Sequence, residues 1–129
     1  MDSKSDFTSK EKSIKPIFDL EERTFQFAKN VVLFCNKLPK TISNREYITQ
    51  VIKSSGSVGA NYIEANEALS KKDFVYRIKI SRKEAKESAY WLRLIKETNP
   101  QQYISEATTL CNEANELKKI FSSMVEKSK

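Results

Sequence analysis

The sequence predicts an all-α chain, an antiparallel up-down-up-down four-helix bundle, and three observations carry that prediction. In four separate stretches apolar residues recur at alternating spacings of three and four, as they do on helices that bury one face. The stretches are joined by short links, which force long neighbouring helices to run antiparallel. Finally, 129 residues with two glycines, three prolines and 31% charged side chains suit long helices better than a turn-rich β fold. A chain of this length forms one domain and buries about two thirds of its unfolded surface.

Residues 1–16 are rich in Ser and Lys, with Phe7 and Ile14 as the sizeable apolar groups. They are expected to form a disordered tail, followed by the bundle domain over residues 17–129. Asp19 with Glu22 three residues on resembles a capping box, and Glu21 and Glu22 complement the helix dipole there. The first helix is expected to run to about Leu38, on a seam of Leu20, Thr24, Phe27, Val31, Phe34 and Leu38. Phe25, Ala28, Val32 and Cys35 widen its apolar face. Pro39 ends it by pushing the preceding residue out of helical conformation.

The second helix is expected from a cap at Ser43 or Asn44, with Glu46 in its first turn, to about Leu69. Ile48, Val51, Ser55, Val58, Tyr62, Ala65 and Leu69 form its seam. A parallel seam of Ile52, Gly56, Gly59 and Ile63 suggests a second neighbour and the most enclosed place in the bundle. Glycine inside a helix costs about 1 kcal/mol against alanine, so two of them one turn apart point to the close approach of another helix. A phosphate-cradling loop is the competing reading of Gly56 and Gly59. It needs a preceding strand or a Lys-Ser/Thr after the last glycine, and neither is present.

Ser70 caps the third helix, with Asp73 in box-like position. Its seam is Phe74, Ile78, Ser81, Ala85, Ser88, Leu92 and Ile95. Small residues fill the middle of the second and third helices, so the two centres should pack closely. Asn99-Pro100 separates the fourth helix, with Pro100 placed as a first helical residue. Tyr103, Ala107, Leu110, Ala114, Leu117, Phe121 and Met124 form the fourth seam.

The net charge is +6, and residues 71–98 hold nine Lys or Arg against four Asp or Glu. A basic face so localised is a footprint for polyanions such as nucleic acid. Lys72, Lys79, Arg82, Lys86, Arg93 and Lys96 share one register, interrupted by Val75 and Ala89. They form a stripe about 100° around the helix from the buried seam. Such a row can track a phosphate backbone, and it can equally be a solvated flank whose lysine stems cover the edge of the core.

Glu64 and Glu67 on the second helix face Glu84 and Glu87 on the third. Di-metal carboxylate sites draw histidines from the same helices, and this chain has none, so no metal or other cofactor is expected. Ion pairs to Arg77, Arg82 or Lys83, with hydrogen bonds from Asn61 and Asn66, are expected instead, a network that fixes helix register. Asn61, Glu64, Lys83, Glu84 and Glu87 are its core members. No Ser or Cys has a recognisable base beside it, so no catalytic residue is assigned. Ile80, Trp91 and Leu94 form an apolar set apart from the third seam and are expected at a subunit contact. Cys35 and Cys111 occupy apolar positions and are expected to be buried, although a disulfide between them stays open. With no apolar signal segment behind Met1 and no run able to span a membrane, a cytoplasmic location is expected.

Several stretches resemble the family named after the 23S rRNA intervening sequence. They are Asp19-Leu-Glu-Glu-Arg-Thr-Phe, Ser57-Val-Gly-Ala-Asn-Tyr-Ile-Glu64, Lys71-Lys-Asp-Phe74 and Lys83-Glu-Ala-Lys-Glu-Ser-Ala-Tyr-Trp-Leu92. The resemblance covers roughly residues 17 to 125, and its Ser-x-x-x-Asn-x-x-Glu core is moderately specific. Asn61, Glu64 and Glu87 match its recurrent polar positions, and Ala65 stands where many relatives have glycine. The resemblance implies a bacterial four-helix bundle that assembles as a ring-shaped homo-oligomer, a pentamer, with no established enzymatic activity. A branch similar to the accessory proteins of diversity-generating retroelements implies a reverse transcriptase and nucleic acid as partners. The resemblance therefore favours RNA or DNA as the ligand of the stripe, with a protein-interaction scaffold as the alternative.

Overall fold

The structure, a computed structural model, describes residues 20–129. The expected tail over 1–16 and the Asp19 cap lie outside the described residues. Four α-helices follow one another: α1 Leu20–Cys35, α2 Ile42–Asn66, α3 Lys71–Thr98 and α4 Ile104–Lys127, the last preceded by a 3-10 turn at Gln101–Tyr103. No strand occurs among the described residues. α3 packs along α2 on one side and α4 on the other, while α1 lies against α2 and touches α4. The helices thus close into a four-helix bundle in sequence order.

The expected seams supply the core. On α3, Ile78, Ser81, Ala85, Ser88, Leu92 and Ile95 are buried, with Phe74 half-buried at the end of the row. On α4, Ala107, Leu110, Ala114, Leu117 and Phe121 are buried and Val125 takes the last place; Tyr103, just before the helix, and Met124 pack partly exposed against the core. Phe27, Phe34 and Phe121 are the largest fully buried side chains, and truncating such a ring to alanine costs about 3 to 5 kcal/mol. At the looser α1–α4 seam, Arg23 makes a two-pronged ion pair with Glu113, at 2.7 and 2.9 Å, and Lys37 reaches Glu106 at 2.9 Å. Forked pairs of this kind fix orientation as well as adding attraction.

Several boundaries differ from expectation. α1 stops at Cys35, after which the amides of Lys37 and Leu38 donate to Phe34 and Cys35 carbonyls three residues back, so Leu38 stays buried outside the helix. α2 begins earlier than expected: Thr41 is its cap, its Oγ1 accepting from the Asn44 amide at 3.1 Å. Neither Ser43 nor Asn44 caps it, and Glu46 falls beyond the first turn. α2 also ends at Asn66, which leaves Leu69 98% exposed rather than in the seam. Ser70 does cap α3, accepting from the Asp73 amide at 3.1 Å. Pro100 is extended, with ψ 154°, and leads into the 3-10 turn instead of opening α4.

The second seam of α2 is corrected as well. Gly59 is buried against α1, where an added Cβ would stand 2.8 Å from Thr24 Oγ1, but Gly56 has open space around it. Ile52 and Ile63 are exposed. α2 is therefore enclosed on the α3 side and open along most of this edge.

Candidate nucleic-acid interface on the third helix

Small residues set α3 firmly against α2. Ser81 Oγ donates to the Val58 carbonyl at 2.8 Å, and the buried hydroxyls of Ser54 and Ser88 lie 2.8 Å apart. The close packing expected of these two centres is what brings main chain and hydroxyl within reach. The outer face of α3 is thereby presented on a rigid spine.

The six residues of the basic stripe divide into two lines. Lys72, Lys79, Lys86 and Arg93 follow one another at heptad spacing, about 10 Å apart along the axis, and all four are exposed. The second line, Val75, Arg82, Ala89 and Lys96, runs closer to the core: Ala89 is buried and the other three are half-buried. Arg93 Nε also donates to Glu97 at 3.4 Å. No ion pair among the described residues reaches Lys72, Lys79, Arg82 or Lys86. Those four form an uncompensated basic row along the first half of the helix.

The expected polar network does not close among the described residues. Asn61 joins α2 to α3: its Nδ2 donates to the Ser57 carbonyl at 2.9 Å, and its Oδ1 accepts from Arg77 Nη1 at 3.1 Å. Glu64, Lys83 and Glu87 are exposed, Glu84 is half-buried, and no ion pair among the described residues includes them. Asn66 donates to Glu21 instead, at 2.9 Å. Partial burial lifts the Glu84 carboxyl above the usual carboxylate range; Glu87 adds to the rise, and Lys83 and Lys53 oppose it. Among the described residues no group of three or more Cys, Asp or Glu is gathered as metal ligands.

Ile80, Trp91 and Leu94 are each half-buried. Trp91 packs against the core beside Tyr47 of α2, with ring centroids 6.1 Å apart, and meets the Tyr90 ring edge-on at 5.1 Å. More apolar surface is open elsewhere, at Phe25, Val32 and Leu33 of α1 and at Ile52 and Ile63 of α2. Both thiols are free. Cys35 is buried, which pushes it up to about 11, and Cys111 is half-buried with its Sγ 3.5 Å from the Ala89 carbonyl.

Two further residues of α3, Tyr76 and Tyr90, stand largely exposed. Their signal in the sequence is simple: each is an aromatic off the register of the buried seam.

The family model of the 23S rRNA-intervening sequence protein matches residues 18–123. The chain belongs to this family. It is similar to a protein of unknown function from the S23 ribosomal protein family of Bacteroides thetaiotaomicron VPI-5482. The two are 30% identical with a TM-score of 0.69, over 81% of this chain and 96% of that one. No curated protein matches the sequence. In this 23S rRNA-intervening sequence protein, the Ser57…Asn61…Glu64 motif has a structural side: Asn61 is bonded to its own helix and to Arg77, while Glu64 faces solvent. No helix among the described residues is long and apolar enough to cross a membrane.

Proposed function

We propose that this protein is a non-enzymatic, homo-oligomeric helical bundle that binds RNA or DNA through the basic row of α3. The observation that supports this reading is the exposed line Lys72, Lys79 and Lys86 with Arg82 beside it, without ion pairs among the described residues and held on a spine locked to α2 by buried serines. Cations at regular spacing along a rigid rod match the regular charge of a phosphate backbone, and each contact gains from counterion release. Arg93 extends the row less effectively, since it is shared with Glu97, and Lys96 continues the half-buried line of Arg82. Ring assembly, as the family resemblance implies, multiplies one weak row into several and raises avidity without new contacts. Reversing Lys79, Arg82 and Lys86 to Glu is expected to abolish binding of a labelled structured RNA while leaving the oligomer's mass unchanged. Full binding by that variant would refute the reading.

A specific observation favours a second reading, a protein-interaction scaffold or an accessory subunit, for example of a reverse transcriptase. Phe25, Val32, Ile52 and Ile63 leave apolar side chains open on α1 and α2, and open apolar patches mark contacts with other chains. Under homo-oligomer formation another copy covers this surface of α1 and α2. Light scattering of an Ile52→Glu, Ile63→Glu variant separates the cases: loss of assembly supports self-contact, and intact assembly supports a foreign partner.

A further inference from the structure

We propose that Tyr76 and Tyr90 are base-stacking platforms, so that the nucleic acid recognised by α3 is single-stranded or looped rather than a continuous duplex. This inference rests on the nucleic-acid reading of the basic row and names the ligand class. Tyr76 is 61% exposed and sits two residues from both Phe74 and Ile78, on the far side of the helix from the core. Together with Lys71, Lys72, Val75 and Lys79 it lines a shallow recess of about 510 Å³. The Arg77 guanidinium lies 5.9 Å from the Tyr76 ring centroid and is itself held by Asn61 at 3.1 Å. The ring therefore has a fixed cation against it and most of its surface open.

Tyr90 stands two heptads later, about 21 Å along the same side of the helix. It is 59% exposed, meets Trp91 in a T-shaped contact, and shares a smaller recess with Leu94 and the Arg93–Glu97 pair. Between the two tyrosines stand the exposed Lys79, Lys83 and Lys86. Aromatic rings alternating with cations are the combination that holds single strands, the rings taking base faces and the cations following the backbone. In a duplex the base faces are already stacked on one another and out of reach of a ring on a convex helix. In loops and single strands the bases can be splayed onto it.

The test uses the full chain, with a labelled oligouridylate as the single strand and an RNA duplex of equal phosphate count as the comparison. Tyr76→Leu and Tyr90→Leu keep the side chains apolar and remove the rings, and both sites are exposed, so the fold should hold, which circular dichroism checks. Each is expected to weaken oligouridylate binding by roughly five- to a hundredfold, with duplex binding within about twofold of the parent and Tyr76→Phe unchanged. Leucine variants that bind the single strand as the parent does, or lose both ligands equally, overturn the inference while the basic row stands. A parent chain that binds neither ligand at low salt overturns both.

Discussion

Asn44 and Asn99, 55 positions apart, exchange their side-chain amides: Asn44 Nδ2 donates to Asn99 Oδ1 at 2.7 Å, and Asn99 Nδ2 donates back at 2.9 Å. Asn44 also donates to the Pro39 carbonyl and Asn99 to the Ile95 carbonyl, each at 2.9 Å. One pair thus ties the start of α2, the end of α3 and the link after α1. Asn44 is fully buried, so Asn44→Ala removes the donor to both Asn99 Oδ1 and the Pro39 carbonyl. Such orphaned groups cost about 1 to 3 kcal/mol each. Urea unfolding is expected to show a loss of about 2 to 4 kcal/mol, and Asn44→Asp, which cannot donate, is expected to lose stability too.

The two glycines of α2 predict opposite outcomes for the same substitution. Gly59→Ala drives a Cβ to 2.8 Å from Thr24 Oγ1 and 3.2 Å from Thr24 Cβ. Thr24 is buried and its hydroxyl is bonded to the Leu20 and Glu21 carbonyls, so it yields poorly. Overpacking of about 1 to 3 kcal/mol is expected to exceed the gain in helix propensity. Gly56→Ala meets nothing and is expected to stabilise by about 0.5 to 1 kcal/mol. Thermal melts of the two variants, side by side, check the sign.

Legibility followed the range of the interactions. The α3 seam was readable because periodicity is a local property, and every member from Ile78 to Ile95 is buried. The start of α2 was not, because Thr41, Ser43 and Asn44 all have capping side chains. What settles the choice is Asn99, which draws Asn44 into the interior from a distant part of the chain. The second α2 seam misled because apolar spacing shows that a face is apolar without saying whether this chain covers it. For the candidate site, the basic register was legible, but its division into an exposed and a half-buried line depends on where α4 packs. The carboxylate network does not close among the described residues, because motif spacing puts Glu64, Glu84 and Glu87 on neighbouring helices without bringing them into ion pairs.

The state of Glu84 separates a buried network from a solvated flank. Its raised carboxyl means that ionisation is disfavoured in the fold, so stability is greatest with the group protonated and falls as pH rises through its titration. Glu84→Gln is therefore expected to have a Tm at pH 7 equal to or above that of the parent. A clear fall would indicate a stabilising ion pair that is not found among the described residues.

The two thiols should differ in reactivity. The thiolate is the reactive form, and burial holds Cys35 protonated up to about 11, while Cys111 is half-buried. At pH 8, iodoacetamide followed by mass spectrometry is expected to modify Cys111 first, with Cys35 labelled only on unfolding. Stability gained from the neutral Cys35 thiol is complete below about pH 9 and is lost as pH rises towards about 11.

The most direct test of the basic row is the affinity of the purified protein for a labelled RNA across a salt series. Four contacts from Lys72, Lys79, Arg82 and Lys86 predict a slope of log K against log salt of about −3 or steeper, with binding lost when Lys79, Arg82 and Lys86 are changed to Glu. A flat salt dependence, or no binding at low salt, would contradict a phosphate-tracking row and leave the open apolar face of α1 and α2 as the protein's principal contact surface.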